Sequence, residues 1–431
     1  MKQTAVNLKH PFVDFSKNCP HPKCGEPLGD ARHFCAHCGG AFGLCANCLA
    51  ANRLLAVHCR FCAQPMKTAV WPMEPGLIAK AEHATGAGEF ATVQHAAPYV
   101  AKVIASPIAA DGLIVVAYLD GHVVVLSQHN LSPLFRFQIK ESIAVTPALK
   151  DCVLYLAAGS RLYACDLAAA ISDQKWKPNV LWHFDCEGEI VQPVLADDRN
   201  VYVVTKNDRQ YQVEAFRLAV LDAEPDQPQR VWKPQTVGNS RTTPLMRVNR
   251  RLALVSFEGA LVTLDANTGQ MQSFPNPAGM PHPNVAPCVA GERIIFINAD
   301  KQVCKLNPES SPPGVAFFEG SRDEIKALAA NEKYIALGLS YGLVLLDDRG
   351  SRLWENADTD QAITVAPVLT DQNIFALTSS GVVFKFNPVT GAALDKRKLF
   401  SGSVLTPPLL TQSMLAAVSA EGEVSVLKLK N

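Results

Sequence analysis

From about residue 90 onward, apolar residues come in short bursts, each closed by Asp, Asn, Gly or Ser. "SPIAADGLIVVAYLDGHVVVLS", from Ser106, sets the order: a small residue and a proline, a short strand, a turn, a β-branched strand, a second turn with Gly, and an alternating third strand. The same order restarts at Thr146, Gln192, Thr243, Ala286, Ala366 and Thr406, and at Lys326 without the proline. Several units add a last strand carrying an aromatic, as in "VLWHF", "RVWKP" and "RLWEN", with Trp182, Trp232 and Trp354. That makes eight units at a period of roughly 40 to 50 residues.

Four short strands per unit predict a four-stranded blade. A single blade cannot bury both of its faces, so blades must pack on one another and close into a ring. The pattern therefore predicts a mainly β fold, an eight-bladed β-propeller over residues 89–431, with the outer-strand aromatic wedged between neighbouring blades. The last unit stops at its third strand, "EVSVLKLKN". "EFATVQHA", from Glu89, reads as a strand without a unit, and it is expected to supply the missing outer strand and close the ring. "LDANTGQ", around Asp265, Thr268 and Gly269, and "FNPVTGA", around Thr390 and Gly391, resemble the strand-ending turns of the quinoprotein-like (PQQ-like) repeat propellers, and the resemblance covers about 340 residues. In such a turn Gly takes the left-handed backbone while Asp and Thr hydrogen-bond it.

The first 66 residues obey different physics. They hold few large apolar side chains, too few to offset their chain entropy. They do hold eight cysteines in four close pairs: Cys19 and Cys24, Cys35 and Cys38, Cys45 and Cys48, Cys59 and Cys62. Each pair sets two sulfurs on one side of a tight turn, and two such turns close a tetrahedral shell around Zn2+, which would fix a segment unable to fold alone. Taken in order, Cys19, Cys24, Cys35 and Cys38 form one ligand set and Cys45, Cys48, Cys59 and Cys62 another, for two structural zinc ions; a cross-braced pairing stays open. Disulfides would need an oxidising compartment, and a redox Cys-x-x-Cys would open a helix in a βαβ unit that the sequence does not show. The segment resembles a double zinc ribbon, "ARHFCAHCGG" being similar to that family's second knuckle, although no glycine follows Cys48 or Cys62. His21, His33, His37 and His58 lie among the pairs and are read as exposed imidazoles rather than ligands. The Pro-, Gly- and Ala-rich residues 67–88 read as a linker.

Composition narrows the function. Lys plus Arg equal Asp plus Glu at 40 each, so no global field draws the chain to nucleic acid or to an anionic membrane. No apolar run is long enough for a signal peptide or a membrane span, and the many thiols point to a reducing cytoplasm. Quinoprotein enzymes hold their cofactor with calcium, an acidic base and, in many members, a ring of two adjacent cysteines; no two cysteines are adjacent here. Paired acids such as Asp197 and Asp198, or Asp347 and Asp348, fall in expected turns and read as turn formers. Cys152, Cys165, Cys186, Cys288 and Cys304 read as small buried hydrophobes.

The expected function is therefore that of a non-enzymatic, cytoplasmic protein-interaction scaffold, with a monomeric disc and zinc-held ribbons docking partner proteins. Two long insertions, Ala168–Asn179 and Ala219–Gln229, extend the link between third and fourth strands of neighbouring units and should emerge on one face, and Pro275–Asn284 on the other. The alternative is nucleic-acid binding through the head, where Lys17, Lys23, Arg32, Arg53 and Arg60 supply charge and Phe34 and Phe61 could stack on bases. Residues 1–80 carry nine Lys and Arg against four Asp and Glu, an excess of about five. A quinoprotein-type oxidoreductase ranks below both. An outer-membrane assembly lipoprotein is built on the same kind of propeller, but that role calls for export and a lipid-bearing cysteine, and neither is read here.

Overall fold

The computed structural model describes residues 42–44 and 51–53 and, apart from short breaks, residues 90–429. The breaks fall at 111–112, 128–130, 168–178, 209, 220–227, 277, 310–313, 319–323, 360 and 411–413. All eight head cysteines, the linker and most of both long insertions lie outside the described residues.

Each repeat folds as one antiparallel sheet. Blade 1 comprises Ile108–Ala110, Leu113–Ala117, His122–Ser127 and Pro133–Gln138, hydrogen-bonded in that order from the inner strand to the outer. Blades 2, 4, 5, 6 and 7 repeat the order, with inner strands at Ala148–Lys150, Met246–Val248, Cys288–Ala290, Ile325–Ala330 and Val368–Leu369. In blade 3 the inner strand is split into Glu189–Ile190 and Leu195–Ala196, both paired with Asn200–Asn207. Blade 8 contains Leu409–Leu410, Met414–Val418 and Val424–Leu429, and its outer strand is Phe90–Ala96. The two ends of the described chain are therefore paired in one sheet, with Val93 opposite Leu427 and His95 opposite Ser425.

Burial follows from the stacking. The second strands Leu113–Ala117, Val153–Ala158 and Met414–Val418 are buried at every residue, because a blade is covered on both faces by its neighbours. The outer strand Pro133–Gln138 alternates between exposed and buried, as an edge with one covered face must. Eight apolar clusters lie between the blades, one at each of the eight junctions. The one that joins blade 8 to blade 1 sets Val418, Val424 and Val426 against Ile114, Val116 and Tyr118, so the ring is closed.

Two tryptophans show how a blade grips the next. Asp265 Oδ1 accepts hydrogen bonds from the amides of Asn267 and Thr268 and from the Thr268 hydroxyl, at 2.9–3.0 Å, and these hold its carboxyl below the usual carboxylate range. The turn ends at Gly269, in the left-handed region at φ +70°. Trp232 of blade 3 lies flat on that glycine: a Cβ there would sit 2.6 Å from the indole, whose Nε1 donates to Ala266 O at 3.3 Å. Blade 7 repeats the device, with Asn387 in the Asp role, Gly391 at φ +71° and Trp354 of blade 6 donating to Pro388 O at 2.8 Å. Trp182 is buried between Tyr155 of its own blade and Phe216 of the next, with ring centroids 5.9 and 6.4 Å away.

One strand assignment is corrected. "RVWKP" is not the fourth strand of blade 3, which is Gln235–Gly238; within the former segment only Arg230 bridges back, to Phe216. In the head, Phe42–Leu44 and Ala51–Arg53 pair antiparallel as a hairpin. Among the described residues no helix is long and apolar enough to cross a membrane.

Candidate interaction face

Antiparallel order gives the disc two chemically distinct faces. One carries the turns between first and second strands together with the links between third and fourth strands; both long insertions leave the disc there. The other carries the turns between second and third strands and the links from one blade to the next, including Pro275–Asn284.

On the first face, acids fasten blades together. Asp197 Oδ1 accepts the amides of Arg199 and Asn200 at 2.8 Å, which makes it the turn former the sequence suggests, and its other oxygen takes the Tyr202 hydroxyl at 2.8 Å and pairs with Arg247 of blade 4. Asp198 pairs at 2.9 Å with Lys150 of blade 2, a lysine otherwise buried. A single turn of blade 3 thus holds both neighbours. Arg251 and Glu309 join blades 4 and 5 at 3.3 Å, and Lys333 and Asp371 join blades 6 and 7 at 3.0 Å. Asp347 caps its own turn, accepting the amides of Arg349 and Ser351, and Asp348 offers its carbonyl to Lys305 of blade 5 at 2.7 Å.

On the second face Arg161 of blade 2 pairs with Glu141 of the link from blade 1 at 3.6 Å, and His95 lies 3.5 Å from Glu423. Among the described residues, Glu187, Glu189, Asp208, Glu258, Asp300 and Glu421 are exposed there, and none makes an ion pair with another described residue. Nine large apolar side chains are exposed among the described residues. Val100, Met280, Tyr341 and Leu405 stand on this face; Val389 alone stands on the opposite one, and the rest lie on outer strands.

Val100 and Leu405 flank a groove of about 410 Å³ at the seam where blade 8 meets blade 1. Ala101, Lys102, Ser403, Ala420 and Glu421 complete its lining. Backbone hydrogen bonds fix the three segments that build it: the amide of Val103 donates to Ala420 O and that of Ala420 to Ser403 O, both at 2.9 Å. Gly422 lets them close, since a Cβ there would lie 2.5 Å from the Tyr118 ring and 2.9 Å from Tyr99 O. Beside the groove the Tyr99 hydroxyl donates to Asp120 Oδ2 at 2.6 Å, and the Tyr99 ring lies 4.2 Å from that of His122. Partial burial pushes the Asp120 carboxyl up, but the bonds from Tyr99 and from the amide and ring of His122 outweigh it and hold it below the usual range. Thr406, next to Leu405, is 2% exposed, and its hydroxyl has no hydrogen-bond partner among the described residues. At the matching position of blade 2, Thr146 Oγ1 accepts the amide of Ser106 at 3.0 Å.

The eight cysteines expected to bind metal lie outside the described residues. The other five are buried, as small core residues should be. Burial pushes the thiols of Cys165, Cys288 and Cys304 up to about 12, so they stay protonated and unreactive at neutral pH. The groove was not found from the sequence; its one signal is apolar residues, Val100 and Leu405, in links where polar ones are the rule.

The chain matches no protein-family model and no curated protein. Solved structures share its fold. BamB from Moraxella catarrhalis is 16% identical with a TM-score of 0.59, over 79% of this chain and 99% of that one. Sqt1 from Saccharomyces cerevisiae is 15% identical with a TM-score of 0.62, over 80% and 100%. Chaetomium thermophilum Sqt1, bound to the N-terminus of the ribosomal protein L10, is 15% identical with a TM-score of 0.62, over 79% and 100%. At such identities the likeness establishes the eight-bladed propeller, with BamB among its structural neighbours, and leaves function to the residues of the chain itself.

Proposed function

We propose that this chain is a non-enzymatic, cytoplasmic protein-interaction scaffold whose disc docks partner proteins through its faces. The observation that carries the reading is the placement of exposed apolar side chains. The core of every blade junction is sealed, yet Val100, Met280, Tyr341 and Leu405 remain on one face of a rigid ring, where they have no folding role. The structure of Chaetomium thermophilum Sqt1 with the N-terminus of L10 supports it, in that a propeller of this fold holds a segment of another protein. Affinity capture from native extract with the full chain, read by mass spectrometry, tests it. Proteins retained by the native chain and lost from a V100S/L405S/Y341S variant are expected. Retention that is no better than a blank resin, or that the variant leaves intact, would count against the face.

The head is a second docking module in this reading, held by two zinc ions. Cys19, Cys24, Cys35 and Cys38 would hold one ion, and Cys45, Cys48, Cys59 and Cys62 the other. The donor set fits: four pairs of thiols with no other stabilising core, and a hairpin of Phe42–Leu44 with Ala51–Arg53 whose intervening residues in sequence include Cys45 and Cys48. Zinc supplies fold here rather than chemistry, since four protein sulfurs per ion leave no open position. Elemental analysis of the purified chain should return two zinc atoms per chain, and about one from a C45S/C48S variant. A value far below two for the native chain would remove the head from the scaffold.

A further inference from the structure

We draw no further inference here: the strongest candidate, the groove between Val100 and Leu405 where blade 8 meets blade 1, is an open apolar surface whose lining balances Lys102 against Glu421, and nothing in the structure shows what covers it.

Discussion

A chain that begins at residue 97 will lose the cooperative melt of the disc, while one that begins at residue 89 will keep it. Phe90–Ala96 is the outer strand of blade 8, contributed from the opposite end of the chain to its other three strands. Phe90 is 3% exposed and sits in the cluster that joins blades 7 and 8, 6.2 Å from the ring of Phe375. His95 Nδ1 lies 2.7 Å from the Ser425 hydroxyl, which itself donates to Leu399 O of the preceding link at 3.1 Å. Losing the strand removes a buried phenylalanine, worth about 3 kcal/mol, and leaves the ladder groups of Val424–Leu429 unpaired, at about 1 kcal/mol for each hydrogen bond. The sum is on the order of 5 kcal/mol or more, comparable with the whole stability of an ordinary domain. It also reopens a sheet edge, which invites association between chains. Urea unfolding of the two truncations, with solution size measured alongside, decides it. Coincident midpoints would mean that the strand adds nothing to the ring.

The architecture was legible because each unit repeats its own punctuation. Seven of the eight units place a small or polar residue before a proline at the start of the inner strand, and the eighth, from Lys326, keeps the strand pattern that follows. Strand order could be read because the fully apolar bursts, such as "LIVVA", are the strands covered on both faces. The fourth strand of blade 3 was misread for a local reason. The long insertion ends next to "RVWKP", so the aromatic precedes the strand Gln235–Gly238 instead of lying within it. Trp232 still docks on the turn of blade 4, because what the packing requires is the indole over Gly269 and not the pairing of its backbone. Asp197 and Asp198 read as turn formers from their neighbours in sequence, and Asp197 is one. Their clamps on Lys150 and Arg247 involve residues about fifty positions away, brought close by ring closure alone. The groove face escaped notice for the same reason. Which link residues stay exposed, and which acids find a base, is settled only when eight blades stand side by side.

Arg230→Ala will destabilise the disc by about 3 kcal/mol, at the lower end of what breaking a buried ion pair costs, although Arg230 lies outside every named strand. Its partner Glu214 lies in the third strand of blade 3 with a side chain only 2% exposed. Arg230 Nη2 pairs with Glu214 Oε2 at 2.7 Å, and the Thr205 hydroxyl donates to the other oxygen, Oε1, at 3.3 Å. The guanidinium also lies over the rings of Phe184, at 4.7 Å, and Phe216, at 6.0 Å, so it closes the junction between blades 2 and 3. Removing it strands a carboxylate in a site that water hardly reaches. Arg230→Lys should recover only part of the loss, because an ammonium keeps the charge but neither stacks on the two rings nor presents a planar fork. The double variant R230M/E214L should come close to the native midpoint, since replacing both charges with apolar groups of similar volume removes the desolvation cost along with the attraction. Urea titration of the three variants separates the terms. If R230A alone melts with the native chain, solvent reaches Glu214 and the pair is screened; if the double variant is as unstable as R230A, packing of the arginine stem against Phe184 and Phe216, and not the charge, holds the junction.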